Sequence, residues 1–152
     1  MAASLKLLGA PSTGRSQHNM RVDFYEMSGR FTDPLFVAGV LVSRAWPETR
    51  SVAVVAPRRD LVMLDRQLWE KPEGRFLPHG IDDEAAPIRL LEDAPDEAGI
   101  LVNLDPAAPL PGGKFDRILE IVPPEEGIKE KLRERWVAWK QRGAELHHHV
   151  LK

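Results

Sequence analysis

The 152-residue sequence contains no cysteine. That excludes a disulfide scaffold, thiolate catalysis and any Cys-ligated zinc or iron–sulfur centre. It fits a reducing compartment. Long apolar runs are missing too. The longest, Leu35 to Val42, has eight residues, against the roughly 20 needed to span a bilayer. Net charge is nearly absent: 21 Lys+Arg against 23 Asp+Glu leave −2. Proteins that grip nucleic acid through its phosphates usually carry a basic domain, so little direct nucleic-acid binding is expected. Acids are absent from residues 1–20. The first 19 residues therefore read as a disordered extension, with Met20 as an alternative start. The remainder, 20–152, is expected to be one domain. The 43% hydrophobic content of the whole sequence suits a globular fold with a proper core.

Order begins at Arg21. RVDFYEM alternates and reads as a strand, with Val22, Phe24 and Glu26 on one face. Asp33-Pro34 is a helix start: Asp caps free amides and Pro suits the first helical position. LFVAGVLVSRAW follows and stops before Pro47. SVAVVA (51–56) is a β-branched run typical of a strand buried on both faces. RRDLVMLDRQLWE (58–70) reads as an amphipathic helix, with Leu61, Leu64, Leu68 and Trp69 inward, ended by Lys71-Pro72. Further strands are predicted at 87–93, 99–105 and 115–122, and a last helix from Pro124 to Arg142, ended by Gly143. Strands alternating with helices predict a three-layer α/β domain around a mainly parallel sheet.

A phosphate loop needs GxxxxGK[ST] between strand and helix. Gly112-Gly113-Lys114 is followed by Phe115 and a strand. The fold is therefore expected to be Rossmann-like without a phosphate loop, and no cofactor is implied. His147-His148-His149 suggests metal affinity, but consecutive histidines point in different directions and Glu145 is the nearest carboxylate. No dedicated metal site is expected. His79 with Asp82 and Asp83 lies in PHGIDD, which reads as a polar turn without a nucleophile.

The last helix is more informative. Ile128, Leu132, Arg135 and Trp139 form one stripe, read as facing the core. Lys129, Arg133, Trp136 and Lys140 repeat that spacing one residue later. A solvated charged face would explain three cations. An indole among them also suits a ligand that is both acidic and aromatic. Around the next informative turn, Trp69, Phe76, Leu77 and Pro78 either pack the helix end onto the core or form an exposed protein-binding knuckle.

At these two segments, LDRQLW-x6-FLPHG (64–80) and IVPPEEGIKEKLRERWVAWKQRG (121–143), the sequence resembles the chi subunit family of bacterial DNA polymerase III. VDFYEM (22–27) is similar to that family's first strand. The resemblance implies a non-enzymatic, cytoplasmic clamp-loader accessory protein with an α/β fold. It implies two partners: the psi subunit, and the acidic C-terminal tail of single-stranded DNA-binding protein, which ends in phenylalanine. Residue by residue, it assigns Val122, Lys129, Arg133 and Trp136 to the tail pocket. Trp136 stands where the family typically has Tyr. Val137 stands where a Lys is found, and Lys140, one turn on, is a substitute for that charge. Trp69, Phe76, Leu77 and Pro78 are assigned to the psi side, a surface that also serves a helicase in the family. Two alternatives stay open on the residues alone. One is a small nucleotide-binding α/β enzyme. The other is nucleic-acid binding by the last helix, which carries six cations and four anions over 124–142.

Overall fold

The computed structural model describes residues 20–46, 48–49, 51–70 and 77–152. The elements follow in chain order. They are β1 (Arg21–Met27), α1 (Pro34–Ala45), β2 (Val52–Val55), α2 (Arg58–Glu70), β3 (His79–Ile81) and β4 (Ile88–Leu91). After these come β5 (Glu97–Asn103), β6 (Lys114–Val122), α3 (Glu126–Gln141) and β7 (Glu145–Leu151). The seven strands form one sheet in the order β3-β4-β2-β5-β6-β1-β7. Every strand pairing is parallel.

Parallel strands cannot be joined by a tight hairpin, because the chain must return to the starting end of the sheet. Helices make that return after β1, β2 and β6. Between β3, β4 and β5 only loops do, and the short strands there explain how. β3 has three residues and β4 four, a rise of about 10–13 Å. Five or six residues of extended loop span that distance.

Local chemistry sets the helix ends. The Asp33 side chain accepts a hydrogen bond from the Leu35 amide at 3.0 Å, and Pro34 opens α1. Beyond α3, Gly143 adopts φ +81°, a left-handed turn that a side chain disfavours. The stops expected at Pro47 and Lys71-Pro72 lie outside the described residues, as does the 1–19 extension.

The two faces of the sheet carry separate cores. α1 and α2 pack Leu41, Leu61 and Leu64 onto Tyr25, Val54 and Leu119. α3 packs Leu132 and Trp139 onto Val22, Phe24, Ile118 and Val122 on the opposite face. The architecture is thus three layers, helix on sheet on helix, as the alternation predicted. β1 lies between β6 and β7 and is buried on both faces, so its apparent alternation reflects polar residues that are themselves paired.

The structure corrects the sequence reading at two places, PHGIDD and Trp69, and supplies an element for the histidine run. PHGIDD is not wholly a turn: His79 to Ile81 form edge strand β3, and Asp82 turns the chain at φ 54°. The histidine run is strand β7, on the far edge beside β1. Trp69 does not face inward with Leu61, Leu64 and Leu68. It is 59% exposed, with its ring 4.8 Å from that of His79.

Candidate functional site

Lys129, Leu132, Arg133 and Trp136 fall at i, i+3, i+4 and i+7 of α3, which places them on one side of the helix. That side faces β1, β7 and the end of β6, over which α3 runs back toward the start of β7. The result is a cavity of about 330 Å³ lined by Phe24, Glu26, Val122, Lys129, Leu132, Arg133, Trp136 and His148. Crevices at the carboxyl ends of parallel strands are the usual ligand positions in such folds. The volume is at the small end of ligand pockets, about 300–1,000 Å³.

The floor is apolar. Phe24, Val122 and Leu132 are all under 10% exposed. Trp136 forms a wall, its ring 5.1 Å from Phe24 and tilted by 56°. His148 meets it edge-on at 6.4 Å. The rim is charged. Lys129 Nζ lies 3.5 Å from Glu26 Oε2, and His148 Nε2 lies 2.8 Å from Glu26 Oε1. The hydrogen bond from His148, assisted by the charge of Lys129, holds the Glu26 carboxyl below its ordinary range despite some desolvation. Arg133 is exposed and makes no ion pair among the described residues. An apolar hole with two cations at its mouth can take a small apolar or aromatic group attached to an anion.

A buried polar clamp holds α3 in place. Glu120, on β6, is fully buried. It accepts hydrogen bonds from Asn103 at 2.7 Å, Arg135 at 2.9 Å and Trp139 at 3.0 Å. Arg135 also donates to the Ala108 carbonyl. Arg135 is thus in the core stripe through this carboxylate, and the clamp fixes the register of α3 over the pocket. A second buried carboxylate, Asp23, lies on the other face of β1. Arg21, Arg117 and His149 reach it at 3.1, 2.8 and 2.8 Å. Burial alone would raise its pKa; the Arg21 hydrogen bond and the Arg117 charge outweigh that and lower it. Burial, with the charge of Asp23, pushes the Tyr25 hydroxyl up to about 12.

The structure brings Val122, Lys129, Arg133 and Trp136 to this one cavity; Lys140 does not line it. On the other assigned surface Trp69 is exposed, whereas Leu77, at 1% exposure, is core. Pro78 is half-buried. Phe76 lies outside the described residues. Sequence spacing missed Phe24, Glu26, Leu132 and His148 as pocket residues, since the first two and His148 reach it from the sheet and Leu132 belongs to the stripe assigned to the core. His79 meets Asp65 at 3.2 Å rather than Asp82 or Asp83. Gly112, Gly113 and Lys114 border a larger cavity of about 710 Å³ together with Glu92, Asp93, Asp96 and Glu97. Four carboxylates stand against Lys114 and an Arg135 already paired with Glu120, a balance that opposes a phosphate.

The fold and site define a Rossmann-like α/β domain without a phosphate loop, carrying a small apolar pocket with a cationic rim. Comparison with known proteins gives the family. The family model described as DNA polymerase III chi subunit, HolC, matches residues 20–147. The DNA polymerase III subunit chi of Pseudomonas aeruginosa is 32% identical over 139 residues, covering 86% of this chain and 96% of that protein. The chain belongs to the DNA polymerase III chi subunit family. Its role is therefore that of a DNA replication accessory subunit within the DNA polymerase III complex. Among the described residues, no helix is long and apolar enough to cross a membrane.

Proposed function

We propose that the chain is a two-sided adaptor, with no catalytic activity of its own, joining psi in the clamp loader to single-stranded DNA-binding protein. The observation that carries the reading is the convergence of Val122, Lys129, Arg133 and Trp136 on one small cavity. The terminal phenylalanine of the acidic tail enters between Trp136 and the floor of Phe24 and Val122. Its carboxylate and the preceding aspartates meet Arg133 and Lys129. A short peptide buries little surface, so micromolar affinity, about −8 kcal/mol, is expected. The ionic contacts make binding salt-sensitive. A coated single strand presents many tails, and this multivalency offsets the weak single contact. Trp69 and Pro78 serve psi, together with Phe76 as the family resemblance assigns it.

Titration of a fluorescent acidic peptide ending in phenylalanine tests the pocket. Wild-type protein binds it in the micromolar range. Arg133→Ala weakens it by about tenfold, the usual cost of a charge-assisted contact, without lowering the melting temperature. Affinity unchanged in that variant sinks the assignment. The rival reading, direct nucleic-acid binding, predicts a gel shift with bare single strands equal to that with coated ones.

A further inference from the structure

His148 lies on β7, opposite Phe24 in the parallel pairing with β1. Side chains at paired positions share a face, so His148 points to the α3 side and into the cavity. There it competes with Lys129 for one carboxylate. Glu26 Oε1 is 2.8 Å from His148 and Glu26 Oε2 is 3.5 Å from Lys129. We infer that His148 is a further contact of the pocket, and that its protonation tightens the hold on an acidic peptide. This rests on the reading of the pocket as a tail site.

The charge count at the rim carries the argument. With His148 neutral, Glu26 offsets one of the two cations, Lys129 and Arg133. With His148 protonated, the imidazolium satisfies Glu26 and Lys129 is released toward the ligand. Net rim charge rises from +1 to +2. The other charged groups facing His148 are a carboxylate, an ammonium and a guanidinium. On β1 this is Glu26, which stays ionised; on α3 these are Lys129 and Arg133. Within β7 itself, His147 and His149 point to the opposite face. His147 meets Glu145 at 2.6 Å and His149 meets Asp23 at 2.8 Å, beside Arg21 and Arg117. Among the groups lining the cavity, His148 is the one histidine, and histidine is the side chain whose charge ordinarily responds to pH near neutrality.

The test is peptide titration with the full chain at constant ionic strength, from pH 8 to pH 5.5. One added charge at a half-exposed rim is expected to tighten binding by about two- to fivefold. H148Q removes that slope, and H147Q keeps it. A wild-type affinity equal at both pH values overturns the inference, as does a slope that survives in H148Q or vanishes in H147Q. Peptide binding that is micromolar but independent of pH leaves the tail reading standing and removes only His148. No peptide binding at any pH overturns both. Proton NMR on the wild-type chain gives a readout free of any folding defect. By linkage, saturating peptide raises the His148 titration midpoint by about 0.3–0.7 pH units; an unmoved midpoint overturns the inference.

Discussion

The clamp under α3 allows a sharp energetic prediction. Glu120 is fully buried and Arg135 is 5% exposed, so the pair is removed from water at both ends. Arg135→Ala leaves Glu120 with hydrogen bonds from Asn103 and Trp139 only and no counter-charge. Breaking a buried pair by removing one partner costs about 3–5 kcal/mol. In a domain of this length each kcal/mol lowers the melting temperature by about 2–4 °C, so a fall of about 6–20 °C is expected. Arg135→Met with Glu120→Gln removes both charges and keeps most of the volume, and is expected to cost less than about 2 kcal/mol, since paired removal can be nearly neutral. Urea denaturation followed by far-ultraviolet circular dichroism measures both. The tail-peptide titration on the same samples reports whether α3 keeps its place over the pocket. A single variant costing under about 1 kcal/mol, or a double variant as damaged as the single, would refute the reasoning.

Other outcomes follow from the same geometry. Asp23 has its pKa lowered in the folded protein, so it contributes stability above its unfolded value, about 3.9, and that contribution is lost as pH falls through the folded value; Asp23→Asn is expected to flatten this acid limb in denaturant titrations and to lower stability at pH 7. Leu77→Ala is expected to cost about 2–5 kcal/mol as a core cavity, whereas Trp69→Ala leaves stability within about 1 kcal/mol and weakens psi binding in pull-down; the reverse pattern rejects the division. A Cβ at Gly113 would stand 2.2 Å from the Asp96 carbonyl oxygen, which also accepts from the Lys114 amide at 2.8 Å. Gly113→Ala therefore lowers the melting temperature, and an unchanged transition shows that this clasp yields freely.

Much of the fold is visible in the chain itself because the long elements satisfy their own patterns. Asp33-Pro34 caps α1 where the residues say it should, and β2 is a continuous apolar run because helices cover the α1 side and loops the other. The last helix shows its stripe of Leu132, Arg135 and Trp139 by spacing, although the partner that allows an arginine there, Glu120, is a strand away. β3 and β7 escape the same reading. β3 has three residues, too few for a period. β7 carries Glu145 and His147 to His149, polar side chains that look like a tail until β1 lies alongside and supplies Asp23 and Glu26.

The sequence alone determined the α/β alternation, the absence of a phosphate loop and the shared helical face of Lys129, Arg133 and Trp136, since each depends on spacing within one element. Only the tertiary structure decided that this face closes over Phe24 and Val122 to make a cavity, that Lys140 stays outside it, and that Glu26 and His148 share its rim. The reason is the parallel sheet. It sets β1, β6 and β7 side by side although β1 lies about a hundred residues from the other two, and a periodicity carries no information across that distance.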